Sequence, residues 1–175
     1  MEYKLKLPLG AEDARRLRAG DTVFLTGEMF VARDAAHKRL FELISKGAPL
    51  PVDLEGETVY YMGPSPAREG RVIGSAGPTT SSRMDKYTPA LLDRGLRVMI
   101  GKGRRSPEVK ESAKAHGAVY LAAVGGAGAL LSERITASEV VCYGDLGAEA
   151  IRRITVRDFP CIVALDTEGA DLYER

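Results

Sequence analysis

The chain has 175 residues, of which 45% are hydrophobic and 28% charged, which is typical of one globular domain and excludes a disordered or fibrous chain. The 25 basic and 24 acidic residues leave a net charge of +1, which excludes a global field that attracts nucleic acid or an anionic membrane. The apolar runs are too short to span a bilayer and the first residues lack the apolar core of a signal peptide, so we expect a cytoplasmic protein.

The first quarter of the chain predicts a helix, a strand region and a second helix. Residues 11–18 place acidic residues first and basic residues last, as a helix dipole favours. Two β-prone runs, 22–26 and 29–32, are separated by a glycine and predict two strands or one bulged strand. An amphipathic pattern then begins at Asp34, which is predicted to cap the helix, and stops before Gly47.

The next part of the chain predicts two strands and a polar loop. The strands are expected at residues 58–62 and 71–74, with a loop rich in glycine, proline and serine between them. The segment 77–85, with the sequence GPTTSSRMD, then leads to a helix that proline opens, and Thr88 is predicted as its N-cap. The N-terminus of a helix is therefore expected near this loop.

Strands and helices continue to alternate in the second half of the chain. A strand is predicted at 97–100, followed by the loop Gly-Lys-Gly at 101–103. The next helix has strong boundary signals, because Ser106 precedes a proline at its start and Gly117 follows its end. A buried strand is expected at 118–124.

The remaining elements are shorter. Residues 125–128 predict a close-packed glycine turn, and 129–135 a short helix. The tail predicts a strand at 140–143, a helical patch at 149–152 and a strand at 161–165. Alternating strands and helices without a linker or repeat indicate a single layered α/β domain that covers the whole chain, although the strand order does not follow from this pattern.

Three loops share one design, in which a strand end is followed by glycine and a polar or basic residue and then by a helix start. They are residues 33–34, 77–83 and 101–102. Helix N-termini present unpaired N–H groups, and the arginine guanidinium matches a carboxylate, so these loops predict an anion site. Two arginines could bind two carboxylates. The candidate ligand-binding residues are Arg33, Thr79, Thr80, Arg83 and Lys102.

All of these residues except Arg33 also have a purely structural interpretation. The hydroxyls could cap the following helix while Arg83 pairs with Asp85 or Glu69, and Lys102 could be solvated in a turn. His37 lies one helical turn after Arg33, and we favour a role within the helix over a role as proton donor or substrate contact.

Other functional classes lack their motifs. The sequence around Lys102 lacks the glycine and hydroxyl of a P-loop, and the glycines near 126–128 lack the dinucleotide fingerprint. Cys142 and Cys161 each lie in an apolar run and are predicted to be core thiols, since an iron-sulfur cluster needs three or four thiolates. We therefore expect this chain to contribute no metal ligand.

The segments ARDAAHKR, GPTTSSRMD and GKG occur in this order, and the tail has the sequence DFPCIVALDTEGADLYE. This combination resembles the C-terminal domain of class I fumarases, which also occurs as the separate β subunit of two-subunit fumarases and L(+)-tartrate dehydratases. The similarity covers essentially the whole chain. It implies a swivelling β/β/α layered domain that closes over a four-iron four-sulfur cluster bound by a partner α subunit.

The resemblance also implies a function. The chain is expected to be the β subunit of a hetero-oligomeric hydro-lyase of the tricarboxylic acid cycle, which interconverts fumarate and L-malate and is inactive without its partner. Dehydration of L(+)-tartrate is the alternative within the same class. From another class, the chain could be a non-catalytic module that binds dicarboxylates or serves as a scaffold.

The resemblance assigns roles to the residues of the three loops. Arg33, Thr79, Thr80, Arg83 and Lys102 are implied as the substrate-binding set. Thr79 or its neighbour is also implied as the base that takes a proton, although a hydroxyl is a poor base unless nearby positive charge ionises it. Asp34 and His37 are expected to orient Arg33 or to cap its helix without touching substrate.

Overall fold

The computed structural model of the chain describes residues 1–62, 76–124 and 131–174. The strands in these ranges are β1 (Glu2–Lys6), β2 (Thr22–Val31), β3 (Thr58–Tyr60), β4 (Val98–Gly101), β5 (Val119–Ala123), β6 (Ile135–Cys142) and β7 (Ile151–Leu165). The α-helices are α1 (Ala11–Arg16), α2 (Asp34–Ser45), α3 (Thr88–Asp93) and α4 (Pro107–His116). Short 3-10 helices cover Ser81–Met84, Gly144–Glu149 and Leu172–Glu174.

The strands form one mixed sheet that closes on itself. Strands β2, β3, β4 and β5 are successive parallel neighbours, and β1 lies parallel to the first half of β2. The long strand β7 runs antiparallel to both β5 and β2, which closes the ring of strands, and β6 pairs with its first half. The prediction of a small α/β domain is confirmed, with a closed sheet at its centre.

The core consists of two clusters on the two faces of the sheet. Successive residues of a strand point to opposite faces, so Tyr60 packs in one cluster with Phe159 while Tyr61 packs in the other. The second cluster also contains Leu40 of α2 and Leu91 of α3, and these helices therefore cover one face. No helix in the described ranges is long and apolar enough to cross a membrane.

Several elements agree with the sequence predictions. The runs at 22–26 and 29–32 form one strand with an irregular register between Leu25 and Gly27, as one of the two expected arrangements requires. Gly27 is needed there, because its φ is +137° and an added Cβ would lie 2.8 Å from the Leu7 carbonyl oxygen. Helix α4 begins after Ser106, whose side chain accepts from the Val109 N–H, and ends at Gly117 in the left-handed conformation.

Two predicted caps are wrong. Arg33, and not Asp34, is the N-cap of α2, and its side chain makes no capping hydrogen bond. The carboxylate of Asp34 is instead paired with arginine. Tyr87, and not Thr88, is the N-cap of α3. The Thr88 hydroxyl caps no N–H of this helix and instead donates to the Met84 carbonyl oxygen.

The tail differs from its predicted pattern. Residues 151–152 belong to strand β7 and not to a helical patch, because pairing with β2 outweighs the local helix preference. Likewise Ile135 begins strand β6 and does not end a helix. The strand predicted at 71–74 and the glycine turn at 125–128 lie outside the described residues.

Candidate functional site

The carboxyl ends of three neighbouring parallel strands bring the predicted loops to one edge of the sheet. Arg33 follows β2, and Lys102 follows β4 directly. Between them, the Thr79 N–H donates to the carbonyl oxygen of Tyr61, which follows β3, at 2.8 Å. Ligands in α/β proteins commonly bind at such an edge. The strand order therefore places the three predicted loops next to one another, which the sequence could not specify.

Arg33 and Arg83 meet at the carboxylate of Asp34. The Nε and Nη2 atoms of Arg83 each lie 2.9 Å from Asp34 Oδ2, and Arg33 Nε lies 3.7 Å from Oδ1. The Arg83 side chain is 50% exposed and that of Arg33 is 25% exposed, so a ligand in solvent can reach both. The surface pairing of Arg83 with Asp85 is not found, because Asp85 binds Arg105. Glu69 lies outside the described residues.

Ser81 connects residues 77–85, the hydroxyl-rich loop, to Lys102 through hydrogen bonds. The Ser81 N–H donates to the Lys102 carbonyl oxygen at 2.9 Å, and the Lys102 N–H donates to Ser81 Oγ at 3.0 Å. The Tyr120 hydroxyl lies within hydrogen-bond distance of the same Oγ, at 2.7 Å. Ser81 is fully buried, whereas Thr80 is exposed and pairs in a parallel bridge with Lys102. The hydroxyl residues at positions 79–82 are therefore not equivalent, and Ser81 holds the loop in place through its hydrogen bonds.

Thr79 lies beside one of the two arginines. Its Oγ1 accepts from Arg83 Nη1 at 3.4 Å, which is a long hydrogen bond, and the residue is half-buried. A guanidinium at this distance stabilises negative charge on the hydroxyl oxygen. The geometry therefore places the expected proton acceptor next to a permanent positive charge.

A buried arginine that the sequence reading missed lies behind the loops. The Arg105 side chain is fully buried, and its Nε donates to Asp85 Oδ1 at 2.7 Å. Its Nη2 donates to the Tyr61 hydroxyl at 3.2 Å and to Thr88 Oγ1 at 3.0 Å. The other oxygen of Asp85 accepts from the Ser106 N–H at 2.7 Å. This network ties the end of the hydroxyl-rich loop to the start of α4.

His37 lies beneath Arg33 and is completely buried. Its Nδ1 is 2.8 Å from the Arg33 carbonyl oxygen, which can only accept, so Nδ1 carries the proton. Within the described part of the chain, Nε2 has no hydrogen-bond partner, and the ring packs edge-on against Tyr61. Burial lowers the pKa of His37 to about 4, so the ring is neutral at physiological pH and supports the backbone of Arg33.

Glu149 is a further acidic residue at this edge. Its Oε1 accepts from the Ala35 N–H in the first turn of α2 at 3.1 Å and lies 3.9 Å from Arg33 Nε. The position follows from topology, since β7 runs antiparallel to β2 and pairs Arg152 with Val31. Sequence reasoning missed Glu149 because Ala35 is 114 positions away and only the pairing of β7 with β2 brings the two together.

The cysteines of this chain do not fit an iron-sulfur cluster. Cys161 is fully buried in β7, where burial raises the pKa of its thiol, and Cys142 is half-buried in β6. Among the described residues, no group of three or more His, Cys, Asp or Glu side chains is arranged to hold a metal ion. A cluster needs several exposed thiolates, which these two positions do not offer.

Comparison with known proteins gives a consistent match. A family model described as the fumarase C-terminus matches residues 2–175. The chain is 41% identical over 153 residues to the anaerobic class I fumarate hydratase of Escherichia coli, covering 86% of this chain and 28% of that protein. It is 38% identical to fumarate hydratase 2 of Leishmania major, covering 89% of this chain and 28% of that protein.

A relative of similar length comes from Methanocaldococcus jannaschii and is named "Putative L(+)-tartrate dehydratase subunit beta". The two chains are 36% identical over 180 residues, which cover 99% of this chain and 92% of that protein. This chain therefore corresponds to about a quarter of the fumarate hydratases but to nearly all of a chain named as a subunit.

Proposed function

The chain belongs to the fumarase C-terminus family, and on that premise we propose that it is the β subunit of a two-subunit hydro-lyase. Its role is to bind the two carboxylates of a small dicarboxylate, with reversible hydration of fumarate to L-malate as the reaction. The convergence of Arg33 and Arg83 on Asp34 is the observation that carries this proposal.

The orientation of the two guanidinium groups supports carboxylate binding. Arg83 turns its Nε edge toward Asp34, and the nitrogen of Arg33 nearest to that carboxylate is also Nε. Arg83 also uses Nη2 for Asp34 and Nη1 for Thr79, but each Nη atom carries two N–H groups, so both arginines keep Nη donors for a ligand. Two such groups side by side match a molecule with a carboxylate at each end.

The remaining loop residues complete the proposed site. Lys102 is exposed and adds a cation, while Thr80 and Thr79 offer hydroxyls to the ligand. Dehydration of L-malate breaks the C3–H and C2–O bonds and forms the C=C bond between these carbons, with release of water. We assign the C3 proton to Thr79, whose oxygen lies beside Arg83.

The cluster and the assembly belong to the partner in this proposal. The two cysteines here do not fit a four-iron four-sulfur cluster, so a partner α subunit would bind it and supply its chemistry. The chain would act in the cytoplasm as part of a hetero-oligomer, as a swivelling domain over that partner. The subunit-length relative supports a separate chain.

Dehydration of L(+)-tartrate is the second candidate. The relative that this chain matches along nearly its whole length is named for that reaction. Tartrate has the same two carboxylates as malate and one more hydroxyl, so the same arginines would bind it. Turnover of the reconstituted enzyme on fumarate, L-malate and each tartrate enantiomer distinguishes the two reactions.

The experiment that tests the proposal is anaerobic reconstitution. The chain is mixed with its cognate cluster-bearing subunit, and fumarate absorbance is followed. We expect activity to require equimolar chain, and Arg83→Ala to lower kcat/KM by at least ~100-fold through loss of a charged clamp.

Arg15→Ala is the matched control, because Arg15 forms an exposed ion pair with Glu12 on α1. It should leave the rate within about twofold. Hydration that is indifferent to Arg83→Ala would contradict the proposal. If the chain binds dicarboxylates but does not increase the turnover of its partner, the alternative of a non-catalytic dicarboxylate-binding module would be favoured.

A further inference from the structure

The carboxylate of Glu149 is fixed by the backbone of α2. Its Oε1 accepts from the Ala35 N–H at 3.1 Å, where the helix has an unpaired donor and a partial positive charge. The segment that carries it lies along the same helix, because Arg39 of α2 donates to both carboxylate oxygens of Asp145. Glu149 therefore has a defined position that does not depend on the Arg33 side chain.

Arg33 Nε lies between two carboxylates. It is 3.9 Å from Glu149 Oε1 and 3.7 Å from Asp34 Oδ1, within ion-pair distance of each. Both Arg33 Nε and Asp34 Oδ1 are buried atoms without a hydrogen-bond partner in the described part of the chain. A buried donor is costly without an acceptor, so the Nε edge of this guanidinium is confined near the two carboxylates.

The same arrangement occurs at the second arginine. Arg83 also presents its Nε edge to Asp34, so both guanidinium groups have this edge against a carboxylate of the chain itself. For Arg83 a single carboxylate forms the contact, at 2.9 Å. Asp34 faces both arginines, and Glu149 is a second carboxylate within ion-pair distance of Arg33.

We propose that Glu149 is a positioning residue for Arg33, which holds the Nε edge of the guanidinium and so directs its Nη atoms toward the substrate carboxylate. This inference rests on the proposed function for its substrate. The ion pair of Glu149 with Arg33 is made through Nε, which argues against competition with a ligand for the Nη atoms. Removal of its charge should consequently weaken dicarboxylate binding, whereas removal of a competing carboxylate would strengthen it.

The experiment uses Glu149→Gln in the full chain. Glutamine keeps the carbonyl acceptor for the Ala35 N–H but removes the negative charge beside Arg33. Titration with L-malate, followed by calorimetry, should show affinity reduced by roughly tenfold, as a misdirected guanidinium implies. Glu149→Asp, which restores the charge on a shorter side chain, should recover part of this loss.

Asp145→Asn is the matched control, because it removes the other acidic contact between the same segment and α2 on a side chain that is 65% exposed. Its effect on malate affinity should stay within about twofold. An equal loss in Asp145→Asn would show that the segment acts only as a structural support. Unchanged or tighter malate binding by Glu149→Gln would overturn the proposal.

A second measurement separates this inference from the proposed function. The Nε–H resonance of Arg33, assigned by its loss in Arg33→Lys, reports the position of the guanidinium without any ligand. We expect Glu149→Gln to shift or broaden this resonance, and an unchanged resonance would refute positioning. If the resonance changes but wild-type chain does not bind L-malate, the proposed function fails while the contact between Glu149 and Arg33 stands.

Discussion

At the scale of single residues, the candidate site combines residues that belong to a local pattern with residues that pairing between distant segments brings there. The sequence predicted Arg33, Thr79 and Arg83 as ligand-binding residues because each follows a strand end within a local pattern. It could not identify Glu149, which is 114 positions from its partner Ala35, since only the pairing of β7 with β2 brings them together. The same limit applies to Arg105, whose acidic partner lies in another loop.

The buried histidine leads to a prediction about stability and pH. The pKa of His37 is lowered from 6.5 to about 4 in the folded chain, chiefly by burial. Between pH 4 and pH 6.5 the unfolded chain therefore binds a proton more readily than the folded chain. The stability that His37 contributes to the folded state is fully present above pH 6.5 and is lost as the pH falls toward 4. Urea unfolding should show a free energy about 2 kcal/mol lower near pH 5 than near pH 7.5 from this group.

His37→Gln should remove this part of the pH dependence, whatever its own stability. His116→Gln serves as the control, because His116 is an exposed residue paired with Asp93 and is expected to leave the dependence intact. A pH dependence that is the same in His37→Gln and wild type would show that another group titrates.

At the scale of elements, local signals predicted the helices better than the strands. The start and end of α4 are each set by a neighbouring residue, and the prediction is confirmed. Strand β7 was only partly predicted, because Asp158 has a φ of +48° and Pro160 lies within it, which interrupts any β pattern. Pairing with β2, β5 and β6 maintains this strand, and such partners lie far away in sequence.

The contact between β4 and the hydroxyl-rich loop gives a second prediction. A Cβ added at Gly101 would lie 2.0 Å from Ser81 Oγ and 2.8 Å from a ring carbon of Tyr61. Gly101→Ala must therefore displace the loop that carries Thr79 and Arg83, and we expect a loss of about 2 kcal/mol in unfolding free energy. Malate affinity should fall with it.

Gly10→Ala is the control for this substitution. The nearest atom to its added Cβ is Asp13 Oδ2 at 4.0 Å, and Gly10 is the N-cap of α1, so we expect a loss of at most about 1 kcal/mol from the cap alone and no loss of malate affinity. Thermal unfolding and malate titration of both variants check the prediction. Equal stability of Gly101→Ala and wild type would mean that Ser81 does not fix the loop in the way its hydrogen bonds indicate.

At the scale of the whole molecule, the closed sheet brings the residues of the candidate site together. Parallel strands β2, β3 and β4 end at one edge, and the antiparallel return of β7 brings an acidic residue to the same edge. The sequence predicted an α/β domain and three anion-binding loops, but it contained no direct signal for this closure. The substrate-binding roles remain predictions, and they depend on both arginines reaching one ligand.

The most direct test of that claim compares a dicarboxylate with a monocarboxylate. Calorimetric titration of the chain with L-malate and with L-lactate, which lacks the second carboxylate, measures the preference for two charges. We expect wild type to bind L-malate at least about tenfold more tightly, since each charged contact contributes on the order of 1–3 kcal/mol. Arg33→Met and Arg83→Met should each reduce this ratio to near one. A preference that persists in both variants would contradict the account, because the second carboxylate would then be bound elsewhere.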